Sequence, residues 1–230
     1  MNMHRLQLWL VFILLFLSTS GIWAQQDVSK WEPDIRQFER LDAIETYDPH
    51  AVMFVGSSSI RLWKTIAEDM KPYPVIQRGI SGTTLTDINY YLNRIITPKH
   101  KFDAVVVYVG NDIHGGKTDK TPKEVLKLFQ QTVKIIRRNH KTQPIFFVEI
   151  YPTPKRWAVW NNQKEANARI KKYCRKKKNL EFIDLADYCL DNFKQPRKEI
   201  YQNDGLHFNQ AGYAIWNQQI KASLDKVLKK

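Results

Sequence analysis

Ala51-Val52-Met53-Phe54-Val55-Gly56-Ser57-Ser58-Ser59-Ile60 is the stretch that decides the fold. Five apolar residues in a row match a short strand buried on both faces, and Gly56 ends the run. From Ser59 to Met70 the apolar spacing becomes helical, so the segment reads as strand, sharp turn, helix. The same order recurs downstream. Val75 to Gln77 is a second, shorter strand, followed by Arg78-Gly79 and a turn rich in glycine and threonine, and Thr86 or Asp87 caps a helix to about Ile96. Ala104 to Val109 is the strongest strand, and Ile145 to Ile150 and Leu180 to Leu185 follow. Thr121-Pro122-Lys123-Glu124 opens a long amphipathic helix, with threonine at the cap, proline in the first turn and glutamate third. Its buried stripe is Leu126, Phe129, Val133 and Ile136. Trp157 to Asn162 reads as a loop, Gln163 to Lys177 as a helix, and a last helix begins near Gln210; upstream, Ile35 to Ile44 is helical. This alternation predicts an α/β protein: a three-layer α/β/α sandwich around a doubly wound, mostly parallel five-stranded sheet of the flavodoxin-like kind.

At 230 residues the chain has room for one well-packed domain. Residues 1–24 read as a signal peptide. His4 and Arg5 precede an apolar run from Leu8 to Leu17, and Ser18-Thr19-Ser20-Gly21 leads to a cleavage point after Ala24. The run is shorter than the roughly 20 residues a membrane span needs. The expectation is therefore export to a periplasmic or extracellular location, no stable membrane insertion after cleavage, and a single domain over residues 25–230. Cys174 and Cys189 are open to two readings, one disulfide or two buried thiols, and neither has neighbours at metal-ligand spacing. The net charge is +13, and losing residues 1–24 removes only Arg5, leaving +12. The excess gathers in Lys134 to Lys141, Lys171-Lys172, Arg175 to Lys178 and Lys229-Lys230. Such clusters attract acidic glycans or anionic membranes, or simply solvate helix faces. Aromatic residues are not interleaved with them, which argues against nucleic acid. The sequence sets no oligomeric state.

Four separated segments carry reactive residue types: Gly56-Ser57-Ser58-Ser59, Arg78-Gly79, Gly110-Asn111-Asp112 and Asp204-Gly205-Leu206-His207. Three of them follow directly on apolar runs, at the carboxyl ends of strands, where open α/β sheets place their sites. Acyl transfer needs a nucleophile, oxyanion donors, and a base oriented by a carboxylate. Ser58 is the candidate nucleophile, although chemistry alone leaves the choice among Ser57, Ser58 and Ser59 open and serines at helix starts ordinarily serve as caps. His207 is the candidate base, with Asp204 three residues earlier to fix its tautomer. The amides of Ser58 and Gly79 and the side chain of Asn111 are the candidate oxyanion donors, while Asp112 braces its loop. Glycine and asparagine are also ordinary turn residues. Arg156, Trp157 and Trp160 border the site as candidate substrate-binding residues, since rings beside a basic group suit a sugar. His114 reads as part of a plain loop.

The chain resembles the SGNH/GDSL hydrolase superfamily. Phe54-Val55-Gly56-Ser57-Ser58-Ser59-Ile60-Arg61-Leu62-Trp63 is similar to the first block in its Gly-Ser-Ser form, Arg78-Gly79-Ile80-Ser81-Gly82 to the second, and Asp204-Gly205-Leu206-His207 to the fifth. The alignment places the nucleophile at Ser58. The third block departs from the family: Gly110-Asn111-Asp112 lacks the residue between glycine and asparagine, so Asn111 reaches the site only if the strand end or turn adjusts. The resemblance implies the α/β/α fold, ester hydrolysis, and neither metal nor organic cofactor. The expected function is a small-acyl, acetyl-type esterase on a small-molecule or glycan ester. Its rivals are a lysophospholipase or thioesterase-type acylhydrolase and an inactive glycan-binding protein of the same fold.

Overall fold

Five parallel strands form one sheet in the order β2-β1-β3-β4-β5 among the residues that the computed structural model describes, 28–228. They are β1 (Val52–Gly56), β2 (Val75–Gly79), β3 (Ala104–Tyr108), β4 (Ile145–Val148) and β5 (Leu180–Ile183). The expected signal segment, residues 1–24, lies outside the described residues. The chain divides at Lys30/Trp31, and the unit from Trp31 onward is the domain described here. The helices are α1 (Glu32–Ile44), the short α2 (Ser58–Leu62) and α3 (Ile66–Asp69), α4 (Leu85–Ile95), α5 (Pro122–Ile136), α6 (Trp160–Cys174) and α7 (Gln210–Leu228).

Continuous apolar strands bury both faces of the sheet, because helices cover each. On one face Val52, Phe54, Val106, Tyr108, Phe146 and Val148 meet α2, α3 and α7. Trp63 there stacks on Tyr213 and Trp216 at 5.4 and 5.2 Å between ring centroids. On the other face α4, α5 and α6 pack in series, and Phe129 of α5 stands edge-on to Phe147 of β4 at 4.7 Å. The three-layer, doubly wound sandwich is the architecture the alternation predicts.

Local differences have local causes. The single helix expected over Ser59–Met70 is broken at Trp63, whose indole turns into the core and donates to Asp69 Oδ2 at 2.6 Å. Helix α4 starts at Leu85, not after Thr86, because Thr84 and Asp87 form the reciprocal capping box. The same box forms at Thr121 and Glu124, as read from the sequence. Strand β4 stops at Val148, since the Ile150 N–H and C=O are both taken by the Asn167 side chain. Arg78, 2% exposed, donates to Asp42 and Tyr47 and lies 5.0 Å from the Phe38 ring, tying α1 to the sheet edge. Cys174 and Cys189 are free buried thiols, which settles the open reading against a disulfide. No helix among the described residues is long and apolar enough to cross a membrane.

Candidate active site

The three consecutive serines have three different environments. Ser57 continues the sheet, its N–H donating to Tyr108 O at 3.1 Å, and precedes the first residue of α2. Ser59 is buried, with its hydroxyl 3.0 Å from Tyr151 OH. Ser58 is half-buried and its Oγ lies 2.8 Å from His207 Nε2. The turn from β1 into α2 therefore presents one hydroxyl of the three to the imidazole.

His207 is held from behind. Its Nδ1 lies 2.5 Å from Asp204 Oδ2, while Asp204 Oδ1 accepts the N–H groups of Leu206 and His207 at 2.9 and 3.0 Å. Partial burial pushes the Asp204 carboxyl up, but the hydrogen bonds from His207 and Leu206 outweigh it and hold the group at about 2. An ionised Asp204 accepts from Nδ1–H, and that leaves Nε2 as the lone-pair nitrogen facing Ser58. The segment itself is pinned. Gln202 N donates to His207 O at 2.7 Å, Tyr201 and Phe208 bridge antiparallel, and Phe208 stacks on Tyr151 at 4.1 Å.

Asn111 reaches the same cavity despite the contracted block. Strand β3 ends at Tyr108, one residue earlier than expected, and Gly110 and Asn111 line the cavity with Ser58 and His207. One amide hydrogen of Asn111 goes to Thr83 O at 2.9 Å; the second is left for a ligand. Arg156 fixes this amide. Its guanidinium donates to Asn111 Oδ1 at 2.6 Å and to Gly110 O at 2.8 Å, which orients Nδ2. Beneath the loop, the Asp112 carboxylate accepts Leu85 N–H at 3.0 Å, as its bracing role requires, and burial pushes it up to about 7. His114 binds Asn111 O and lies outside the cavity lining.

Gly79 is placed elsewhere, which corrects the expectation for it. It ends β2 opposite Gly56, and a Cβ there would lie 2.2 Å from Arg61 N, so its role is close packing against α2. Ile80 N donates to Gly56 O at 2.9 Å, so by alternation the Gly79 N–H faces the sheet's outer edge, away from β1. The exposed glycine of this turn is Gly82, at φ +79°, immediately before the Thr83 carbonyl that holds Asn111.

The substrate-binding candidates separate. Arg156 lines the Ser58 cavity, whereas Trp157 and Trp160 line a second cavity beside it. Gln163 was missed by sequence reading. It lines the Ser58 cavity, donates to Ile113 O at 2.8 Å and leaves its buried Oε1 without a protein partner. Thr153-Pro154 was the available signal, since it repeats the cap-and-proline start seen at Thr121-Pro122. Pro154–Val159 is a 3-10 segment leading into α6 at Trp160, where a loop was expected. Among the described residues no group of three or more His, Cys, Asp or Glu could hold a metal ion.

No curated protein matches this chain in sequence. Its fold is similar to solved structures. One is a Bacteroides fragilis protein classed as an acylhydrolase, at 20% identity over 89% of this chain and 100% of that one, with a TM-score of 0.74. Another is a GDSL-like lipase from Bacteroides thetaiotaomicron, at 20% identity over 84% and 97%, with a TM-score of 0.69. A third is a carbohydrate esterase family 3 protein from Talaromyces cellulolyticus, at 17% identity over 78% and 98%, with a TM-score of 0.59. The profile of the GDSL-like Lipase/Acylhydrolase family matches residues 42–215, from the end of α1 into α7. That span carries all four reactive segments, and the chain belongs to this family of carboxylic ester hydrolases.

Proposed function

We propose that this protein hydrolyses short-acyl esters, acetyl above all, carried on carbohydrate, with Ser58, His207 and Asp204 acting together. The observation that carries the reading is the continuous relay from Ser58 Oγ through His207 to Asp204, at 2.8 and 2.5 Å. His207 Nε2 takes the serine proton as Oγ attacks the ester carbonyl. The developing oxyanion accepts from the Ser58 N–H, which has no intrahelical partner at the start of α2, and from Asn111 Nδ2. We assign the third donor to the Gly82 N–H, since Gly82 is the exposed glycine beside the Thr83 carbonyl that holds Asn111. His207 then protonates the leaving alcohol, and a water deprotonated by the same nitrogen releases the acid.

Size supports a small acyl group. The cavity around Ser58 measures about 10 Å³, room for roughly one water, and its walls include buried Tyr108 and Tyr151. So tight a cavity favours the smallest acyl groups, which weighs against the lysophospholipase and thioesterase readings. The aligned relay and the presence of Asn111 in the cavity weigh against an inactive binding protein. The carbohydrate acceptor rests on the neighbouring tryptophan-lined cavity and on the fold shared with a carbohydrate esterase. The decisive test is p-nitrophenyl acetate hydrolysis by wild-type protein and Ser58→Ala. Turnover confined to wild type is expected; equal rates in both would overturn the assignment.

Export is part of the same proposal, with residues 1–24 as the leader. Terminal sequencing of the protein recovered outside the cytoplasm should begin at Gln25, and an intact Met1 would refute cleavage.

A further inference from the structure

The larger cavity at the carboxyl edge of the sheet holds no member of the Ser58, His207 and Asp204 relay. It measures about 780 Å³, within the roughly 300–1,000 Å³ of sites that take small organic ligands. Trp157 stands on one side, half-buried, with the buried Trp160 ring stacked 6.4 Å behind it at 15°. Tyr188, 47% exposed, also lines it. The Tyr188 support is fixed in advance. Glu149 Oε2 accepts the N–H groups of Leu185 and Ala186 at 2.7 Å each, Tyr188 N donates to Leu185 O, and Arg197 donates to Tyr188 O. Large exposed rings on rigid supports offer binding area at little entropic cost.

The charge of the lining identifies the ligand class. Three lysines (164, 171 and 194) face three carboxylates (Glu149, Asp184 and Asp187), so the formal sum is zero on a chain of +13. Lys171 is held by Asp184 at 2.5 Å. An anionic ligand would select for an excess of lysine here, as elsewhere on this surface. Balanced charges with an amide at Asn161 and two rings instead match hydroxyl groups around an apolar ring face, which is the chemistry of an uncharged sugar.

Two pairs of consecutive residues divide this groove from the Ser58 cavity. Arg156 and Gln163 line the Ser58 cavity, and the next residues in sequence, Trp157 and Lys164, line the groove. We propose that the groove binds an uncharged oligosaccharide chain, holding it so that an ester on one of its sugars reaches Ser58. The link to Ser58 rests on the esterase reading, while the binding itself does not.

The test is calorimetric titration of the full domain with xylohexaose and cellohexaose, and with hexagalacturonate as the anionic comparison. Wild type and Ser58→Ala should bind at least one neutral hexasaccharide with equal affinity, and Trp157→Ala and Tyr188→Ala should each weaken it by about tenfold. Tyr188 is exposed, so its variant keeps the test decisive should Trp157→Ala fail to fold. The proposal is overturned if neither neutral hexasaccharide binds at up to about 10 mM. Unchanged affinity in Tyr188→Ala, or tighter binding of hexagalacturonate, would also overturn it. Wild-type turnover of p-nitrophenyl acetate, measured on the same preparation, reports separately on the esterase reading. An inactive wild type that binds sugar refutes that reading alone, and an active one that binds none refutes the groove alone.

Discussion

The Ser58 cavity and the tryptophan-lined groove sit side by side at the carboxyl edge of one sheet and are built on opposite lines. The first is about 10 Å³ and the second about 780 Å³. Around Ser58 the working side chains are tied to one another or to the backbone. Asp204 holds His207, Arg156 holds Asn111, and Asn111 holds Thr83. In the groove Lys164, Asp187 and Lys194 stand at the ends of exposed side chains. Bond-making chemistry gains from atoms fixed to fractions of an ångström, whereas recognition of a flexible chain gains from area. The two also share a design element. Each is underlain by a carboxyl that accepts backbone amides, the buried Asp112 at Leu85 and the half-buried Glu149 at Leu185 and Ala186.

If this division is right, the largest effect belongs to the smaller cavity. Ser58→Ala should lower kcat for p-nitrophenyl acetate by about 10⁴-fold or more. Asn111→Ala should cost about 10²–10³-fold in kcat, the usual loss of one oxyanion donor. Arg156→Gln should lose about 10–10²-fold, concentrated in kcat with KM little changed, because the guanidinium orients Asn111. Arg156→Lys should recover only part of this, since an ammonium lacks the fork that spans Gly110 O and Asn111 Oδ1. A pure KM effect would return Arg156 to substrate contact.

A fourth prediction concerns stability. Burial raises the Asp112 carboxyl to about 7 from an ordinary 3.8, so the folded chain keeps a proton that the unfolded chain has released. Asp112 therefore lowers stability progressively as pH rises from about 4 to about 7, with no further change above that. Urea unfolding across this window should show Asp112→Asn gaining on wild type by up to a few kcal/mol at neutral pH. Parallel curves for the two proteins would show that the Leu85 N–H fully stabilises the carboxylate. The smallest effect is expected in the groove. Raising salt from about 50 to 500 mM should alter affinity for a neutral hexasaccharide by less than about twofold, because no net charge is screened. A steep loss would sharpen the comparison in the other direction, toward an anionic ligand.

Legibility followed the range of the interactions. Capping at Thr121 and Glu124 is written within four residues, and the buried strands are written in continuous runs such as Ala104 to Tyr108. Asp204 and His207 could be paired by spacing because three residues fold onto each other. The choice among Ser57, Ser58 and Ser59 could not be made from local chemistry. It depends on Tyr151 and His207, respectively 92 and 149 positions away from the serines they meet. Gly79 was misassigned because a glycine that allows close packing and one that exposes its amide look alike in sequence, and only β2 pairing separates them from Gly82. Trp157 and Trp160 line the second cavity and not the one that holds Ser58. The division between the two cavities arises from the 3-10 turn after Pro154, which the reading as a loop did not contain.

The two cysteines carry a consequence for handling and for biogenesis. Burial raises both Cys174 and Cys189 to about 12, so near neutral pH only about one thiol in 10⁵ is ionised. Thiolates are the species that alkylating reagents, peroxides and exchanging disulfides attack. The native domain should therefore refuse thiol-directed labels and mature equally well in reducing or oxidising surroundings, with no disulfide-forming catalyst required to complete it.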